Sequence, residues 1–120
     1  MNWFEIQDII RDIIDLTKEN LVKWSSYDDG FKTLFLDLGT GRIAISRQYE
    51  SMDDEYDYDF QVFNVSGEVI ENFITGYEDR EYQYMLKELY DVAENSSLQR
   101  QATIDSMRAA IGKLKSNRPF

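Results

Sequence analysis

Between Trp3 and Trp24 the apolar residues recur at intervals of three and four. Ile6, Ile9, Ile13 and Leu16 form one such series and Ile6, Ile10 and Ile13 another, so a single apolar stripe runs along a helix. Asn2 is placed to cap it, with Glu5 three residues on as the reciprocal partner. Glu5, Asp8 and Asp12 gather toward its start and Lys18 and Lys23 toward its end, as the helix macrodipole favours. The expected helix covers 3–22, and the turn-forming cluster Ser25–Gly30 stops it.

Beyond that cluster the period changes to two. Leu34, Leu36 and Leu38 alternate with Thr33, Phe35 and Asp37, which predicts a strand over 31–38. Gly39-Thr40-Gly41 makes a tight connection to a second strand over 42–49, where Ile43 and Ile45 face one way. A third strand over 56–65 sets Tyr56, Tyr58, Phe60, Val62 and Asn64 on one face, with Asp57, Asp59, Gln61, Phe63 and Val65 on the other. Ser66-Gly67 turns the chain into a fourth strand over 69–75.

Helical spacing then returns. Tyr82, Met85, Leu86, Leu89, Tyr90, Val92 and Ala93 predict a second helix that ends or frays at Asn95-Ser96-Ser97. Ile104, Met107, Ile111 and Leu114 form the stripe of a third, with Thr103 as its cap and 113–120 as a short, basic, mobile tail. The expected architecture is α+β: an N-terminal helix, a four-stranded antiparallel meander, and two C-terminal helices packed on the sheet. A layout with the first helix on one face and the C-terminal pair on the other is the second choice. With 120 residues the chain is read as one globular domain, 1–120, without repeat or linker.

Composition narrows the chemistry. The chain has no cysteine and no histidine. Disulfides, thiolate metal sites and a cysteine nucleophile are excluded, and so are the commonest general base and the commonest transition-metal ligand. No basic and apolar leader precedes the first helix, no apolar run reaches the roughly 20 residues of a membrane span, and the C-terminus bears no lipidation signal. The expected location is the cytoplasm.

Charge alters the picture more. The net charge is −10. Residues 1–49 hold eight acids and six bases, residues 50–94 hold fourteen acids and two bases, and residues 95–120 hold one acid and five bases. Such a field repels phosphates and membrane surfaces and speeds encounter with basic ones.

The acids are densest between the second and third strands, where Tyr49–Phe60 carries six carboxylates and no base. Mutual repulsion there has no purpose in folding, while tyrosine and methionine are enriched at protein interfaces and acids steer a basic partner. Tyr49, Glu50, Met52, Asp53, Asp54, Glu55, Asp57 and Asp59 are therefore the candidate partner-binding residues. Glu78, Asp79 and Glu81 are possible extensions of the patch. The bland alternative is a solvated acidic loop.

Other constellations carry less. Asp53, Glu55, Asp57 and Asp59 alternate like the start of a calcium loop, but Tyr58 and Asn64 occupy the positions that need Gly and Glu. Gly39-Thr40-Gly41-Arg42 leads into a strand, where a phosphate cradle would lead into a helix. No Gly-x-Ser-x-Gly or Ser-x-x-Lys arrangement marks a nucleophile, and no motif selects a catalytic carboxylate pair.

The order of elements is similar to that of small bacterial or phage-type immunity and inhibitor proteins, an analogy of fold that transfers no residue. The expected function is a non-catalytic, acidic protein-binding protein. It would inhibit or regulate a partner by occupying a basic surface, with no cofactor, no metal and no direct nucleic-acid contact. One alternative is a DNA mimic that blocks a nucleic-acid enzyme, although the basic C-terminal segment breaks any continuous phosphate-like track. The other is a small-molecule-binding or enzymatic domain with a pocket on the aromatic sheet face.

Overall fold

The computed structural model describes residues 3–27, 32–50, 55–75 and 80–117. Helix α1 (Trp3–Lys18) leads into strands β1 (Ser25–Tyr27), β2 (Thr33–Asp37), β3 (Gly41–Glu50), β4 (Glu55–Asn64) and β5 (Val69–Ile74). Helix α2 (Arg80–Ser116) follows. The strands form one antiparallel sheet in the order β1-β2-β3-β4-β5. The α+β class and the antiparallel meander agree with the hydropathy pattern. The counts do not: among the described residues there are five strands where four are expected, and one C-terminal helix where two are expected.

Each departure has a local cause. β1 occupies part of the segment expected to be a turn, with Ser25, Ser26 and Tyr27 opposite Phe35, Leu34 and Thr33. It is three residues long and lacks apolar alternation, so periodicity alone does not disclose it. Helix α1 stops at Lys18 rather than at 22 because Asn20 adopts a left-handed conformation, φ 59°. The amide of Leu21 donates to the carbonyl of Leu16 and that of Asn20 to Thr17, the paired bonds of a Schellman cap. Asn2, the expected N-cap, lies outside the described residues.

The single C-terminal helix absorbs both expected breaks. Ser96 and Ser97 are buried, and the Ser96 hydroxyl accepts a hydrogen bond from the Trp24 amide at 3.2 Å. These serines are small packing residues where α2 passes Trp24, not a terminus. The Thr103 hydroxyl donates to the carbonyl of Gln99, one turn back, so Thr103 is an interior residue rather than a cap. No proline interrupts 80–116, and the helix continues through Lys113 and Lys115 in its last turn.

Both helices pack on one face of the sheet. Leu34, Leu36, Ile43, Ile45, Tyr58 and Phe60 point from it toward Ile6, Ile10, Ile13 and Ile14 of α1 and toward Leu86, Leu89, Tyr90 and Ala93 of α2. Trp24 is fully buried where the layers meet. Its indole N–H donates to the Thr17 hydroxyl at 3.0 Å, and that hydroxyl donates to the Ile13 carbonyl at 2.7 Å. The second face of the sheet carries Thr33, Phe35, Arg42, Ala44, Ser46, Gln48, Asp57, Asp59 and Gln61, and no described element covers it. No described helix is long and apolar enough to cross a membrane.

Candidate functional site

The site grows out of the longest pairing in the sheet. β3 and β4 are ten residues each and pair along their whole length, from Gly41 opposite Asn64 to Glu50 opposite Glu55. Their neighbours give out earlier: β2 begins at Thr33, and the last pair of β5 with β4 is Ile74 with Asp59. The ends of β3 and β4 therefore run on past both neighbours as a two-stranded ribbon. Met52, Asp53 and Asp54 lie outside the described residues, between the two arms. Of the possible extensions, Glu78 and Asp79 also lie outside them.

Strand alternation divides the remaining candidates between two faces. Tyr49 and Tyr56 oppose each other on the helix side, with ring centroids 5.5 Å apart in an edge-to-face contact. They are 50% and 38% exposed, so Tyr56 is not a core residue as its parity with Tyr58 and Phe60 suggested. Asp57 and Asp59 point to the open face, opposite Gln48 and Ser46. Tyr49 therefore does not share a face with Asp57 and Asp59.

On the helix side the ribbon is held by Arg47. Its guanidinium lies over the rings of Tyr56 and Tyr90 at 4.3 and 4.5 Å, and 3.9 Å from a carboxylate oxygen of Glu94. The amide side chain of Gln83 donates to the Tyr56 carbonyl at 2.8 Å. Tyr90 donates its phenol to the Lys32 carbonyl at 3.0 Å. Burial pushes the Tyr90 phenol up to about 12, with Arg47 pulling the other way. Burial likewise raises the Tyr58 phenol. Neither tyrosine is a proton donor or acceptor near neutral pH, and the cluster reads as a clamp that stiffens the ribbon.

The open face offers different chemistry. A hollow of about 320 Å³ lies at the root of the ribbon. Ser46, Arg47, Gln48, Asp57, Tyr58 and Asp59 line it from β3 and β4, with Thr33 of β2 and Ile74 of β5 at its sides. One oxygen of the Asp59 carboxyl, Oδ1, is sealed from solvent and has no hydrogen-bond donor among the described residues. Burial raises the carboxyl above its ordinary range, as expected for an anion with no compensating partner. Next to it the chain is well satisfied. The Thr75 hydroxyl accepts from the Tyr58 amide at 2.8 Å and the Thr75 amide donates to the Tyr58 carbonyl at 2.9 Å, extending the β5 ladder by one rung.

A second hollow, about 360 Å³, lies at the opposite end of the sheet between the β2–β3 and β4–β5 turns. Asp37 and Arg42 line it, but Asp37 caps the Gly39 amide and stands 3.9 Å from Arg42, so its carboxylate is already occupied. Among the described residues no three acidic side chains are placed to hold a metal ion. The aromatic side of β4 is not an open pocket at Tyr58 and Phe60, which are buried beneath the helices.

Asp59 was within reach of the sequence as an outward residue of a predicted strand. Its isolation was not, because that depends on where β2 and β5 end. The geometry defines a class of protein: a helix-backed antiparallel sheet whose two central strands project as a ribbon in the acidic part of the chain. No protein-family model, curated protein or solved structure matches the chain.

Proposed function

We propose that this chain is a non-catalytic protein-binding protein whose β3–β4 ribbon docks on a basic surface of another protein. A lysine or arginine side chain of that partner would enter the hollow over Asp59, and the docked ribbon would inhibit or regulate the partner by covering that surface. The observation that supports this most directly is the Asp59 carboxyl, an acidic group lining a solvent-open hollow with one oxygen buried and without a described donor. Such a group disfavours the isolated fold and becomes favourable when a cation arrives to match it. The surplus of acids over residues 50–94 draws basic surfaces toward the ribbon. Exposed Tyr49 and Tyr56 add amphipathic contact area on its other face. A chain without cysteine suits a reducing compartment such as the cytoplasm.

The test has two arms. The Asp59 carboxyl carbon is followed by NMR while N-acetyl-arginine amide is added, with sodium chloride at matched ionic strength as the control. Extracts of the native source are then passed over the immobilised protein and over an Asp57→Asn, Asp59→Asn double variant. A shift specific to the guanidinium, and a basic protein retained by the parent at low salt but not by the variant, are expected. Identical capture and identical salt dependence for both proteins would sink the reading.

A further inference from the structure

Helix α2 does not end where the body of the protein does. Its 37 residues span about 55 Å at a rise of ~1.5 Å per residue. Over its first half the apolar stripe is covered by the sheet and by α1, which it meets at Trp3–Tyr82 and Lys18–Glu88. From Leu98 to Asn117 every residue except the half-buried Ile104 is exposed. Yet the stripe resumes in the same register after a polar break. Tyr90 and Ala93 in the core, and Ile104, Met107, Ile111 and Leu114 beyond it, all fall on the a and d positions of one heptad frame, with Ser97 and Arg100 at the two positions between. Met107, Ile111 and Leu114 are 59, 51 and 72% exposed.

We propose that this projecting half of α2 pairs with the same segment of a second copy, antiparallel, as a short coiled coil. Apolar side chains at a/d spacing on a bare helix are the surface that a facing helix covers. The frame is self-complementary about a two-fold axis at Ala109. Ile104 meets Leu114 of the second copy and Met107 meets Ile111 of the second copy, and the axis repeats both layers, so these four layers are apolar and the seam ends at Arg100, the next d position. Ala110 flanks the axis and lets the backbones approach.

Charge selects the direction. The projecting segment holds four bases, Arg100, Arg108, Lys113 and Lys115, against one acid, Asp105, on a chain whose total is −10. Parallel pairing would set two acidic bodies side by side and the basic ends together. Antiparallel pairing puts the bodies at opposite ends and opposes the helix dipoles. It also brings Lys113 and Lys115 of each helix toward the C-terminal end of α1 in the other copy, where Asp15 and Glu19 stand; that end meets α2 near Ser96 and Gln99. The interface is small, so a dimer forming at roughly 1–100 μM is expected.

Sedimentation equilibrium on the full chain from 5 μM to 1 mM tests this. A monomer–dimer equilibrium is expected, weakened at least ~50-fold by Ile111→Glu, which alters two symmetry-related layers at once. Because Ile111 is exposed in the monomer, the urea midpoint of that variant is expected to match the parent at a concentration well below the measured dissociation constant. The chain has no cysteine, so single cysteines report direction. Ala110→Cys should cross-link with itself across the axis, and Leu114→Cys, which faces Ile104 of the second copy, should not. A monomer throughout that range, or a dimer untouched by Ile111→Glu, overturns the proposal. So does efficient self-cross-linking of Leu114→Cys without that of Ala110→Cys, or an acidic helix of a different protein binding the segment while the chain alone stays monomeric.

Discussion

Asp59→Asn keeps the size and shape of the side chain at the root of the ribbon and removes its charge. In the parent protein one oxygen of that carboxyl is sealed and has no donor among the described residues. A carboxylate costs more to bury without a partner than a neutral amide in the same place, and because Asp59 is only partly buried and water reaches its other oxygen, the difference is about 1 kcal/mol. The variant is therefore expected to be more stable than the parent, which for a domain of this size is a rise in Tm of about 3–5 °C. Since the same charge is the feature offered to a cationic side chain, the gain in stability should come with a loss of binding. That opposition is expected where a group serves function at the expense of the fold.

The pH dependence gives the stricter test. Burial raises the folded carboxyl above its ordinary value of 3.8. The folded protein then holds this proton more tightly than the unfolded chain, so the penalty of the ionised group grows as pH climbs from 3.8 through the folded value. The advantage of Asp59→Asn should be full at neutral pH and fade toward zero as pH falls to that ordinary value. Urea unfolding followed by fluorescence of Trp3 and Trp24 measures it at several pH values. Exposed Glu68→Gln serves as the control for merely lowering the net charge. An Asp59→Asn protein no more stable than the Glu68→Gln control at pH 7, or an advantage that does not change with pH, would refute the reasoning.

Three further outcomes follow from the packing. Arg47→Met keeps a long side chain but loses both ring contacts and Glu94, and should cost about 1–2 kcal/mol in urea unfolding, with ribbon amides near Gln48 and Asp57 exchanging faster. Trp24→Phe removes the indole donor to Thr17 and leaves space in the core; a loss of about 2 kcal/mol by thermal unfolding is expected, and an unchanged Tm would contradict the anchoring role. Gly41→Ala would place a methyl 2.6 Å from the backbone carbonyl oxygen of Phe63, so a destabilisation of about 1–3 kcal/mol is expected from calorimetry, together with a shift in the Phe63 amide resonance.

What the amino-acid pattern discloses is what periodicity can carry. The stripe of α1 and the alternation of β2 to β4 supply much of the core, because Ile6, Ile10, Ile13, Leu34, Leu36, Ile43, Ile45 and Phe60 each fall on the face their period assigns, while Ile9, Leu16 and Leu38 of the same series are exposed. What fails is punctuation. Ser25-Ser26-Tyr27 and Asn95-Ser96-Ser97 both have the composition of a loop, yet the first is an edge strand and the second is helix interior. In both places tertiary neighbours decide: β2 supplies hydrogen-bond partners to β1, and the Trp24 amide gives Ser96 a buried partner. The site shows the same limit. Charge density marks the stretch around Asp57 and Asp59, but alternation sends Tyr49 and Tyr56 to the other face, and the hollow exists only because β2 and β5 are shorter than the strands they flank.

The two surfaces proposed here lie at opposite ends of α2. Its N-terminal half meets the ribbon through Gln83, Tyr90 and Glu94, while its C-terminal half leaves the body beyond Ser97. The molecule is accordingly long, 64 × 35 × 27 Å, with acids concentrated in the body and bases in the projecting helix. Self-pairing through the basic half does not obstruct the hollow over Asp59, and in the antiparallel dimer two such hollows occupy the outer ends. A partner presenting one basic site would bind each end independently. A partner that is itself oligomeric, with basic sites at a matching separation, would be held at both, and the second contact would be intramolecular. Ile111→Glu separates these cases: it should leave the affinity for a single-site partner unchanged and lower that for a multi-site one by the full avidity gain. If affinity for a single-site partner fell as well, the two ends of α2 would be coupled rather than independent.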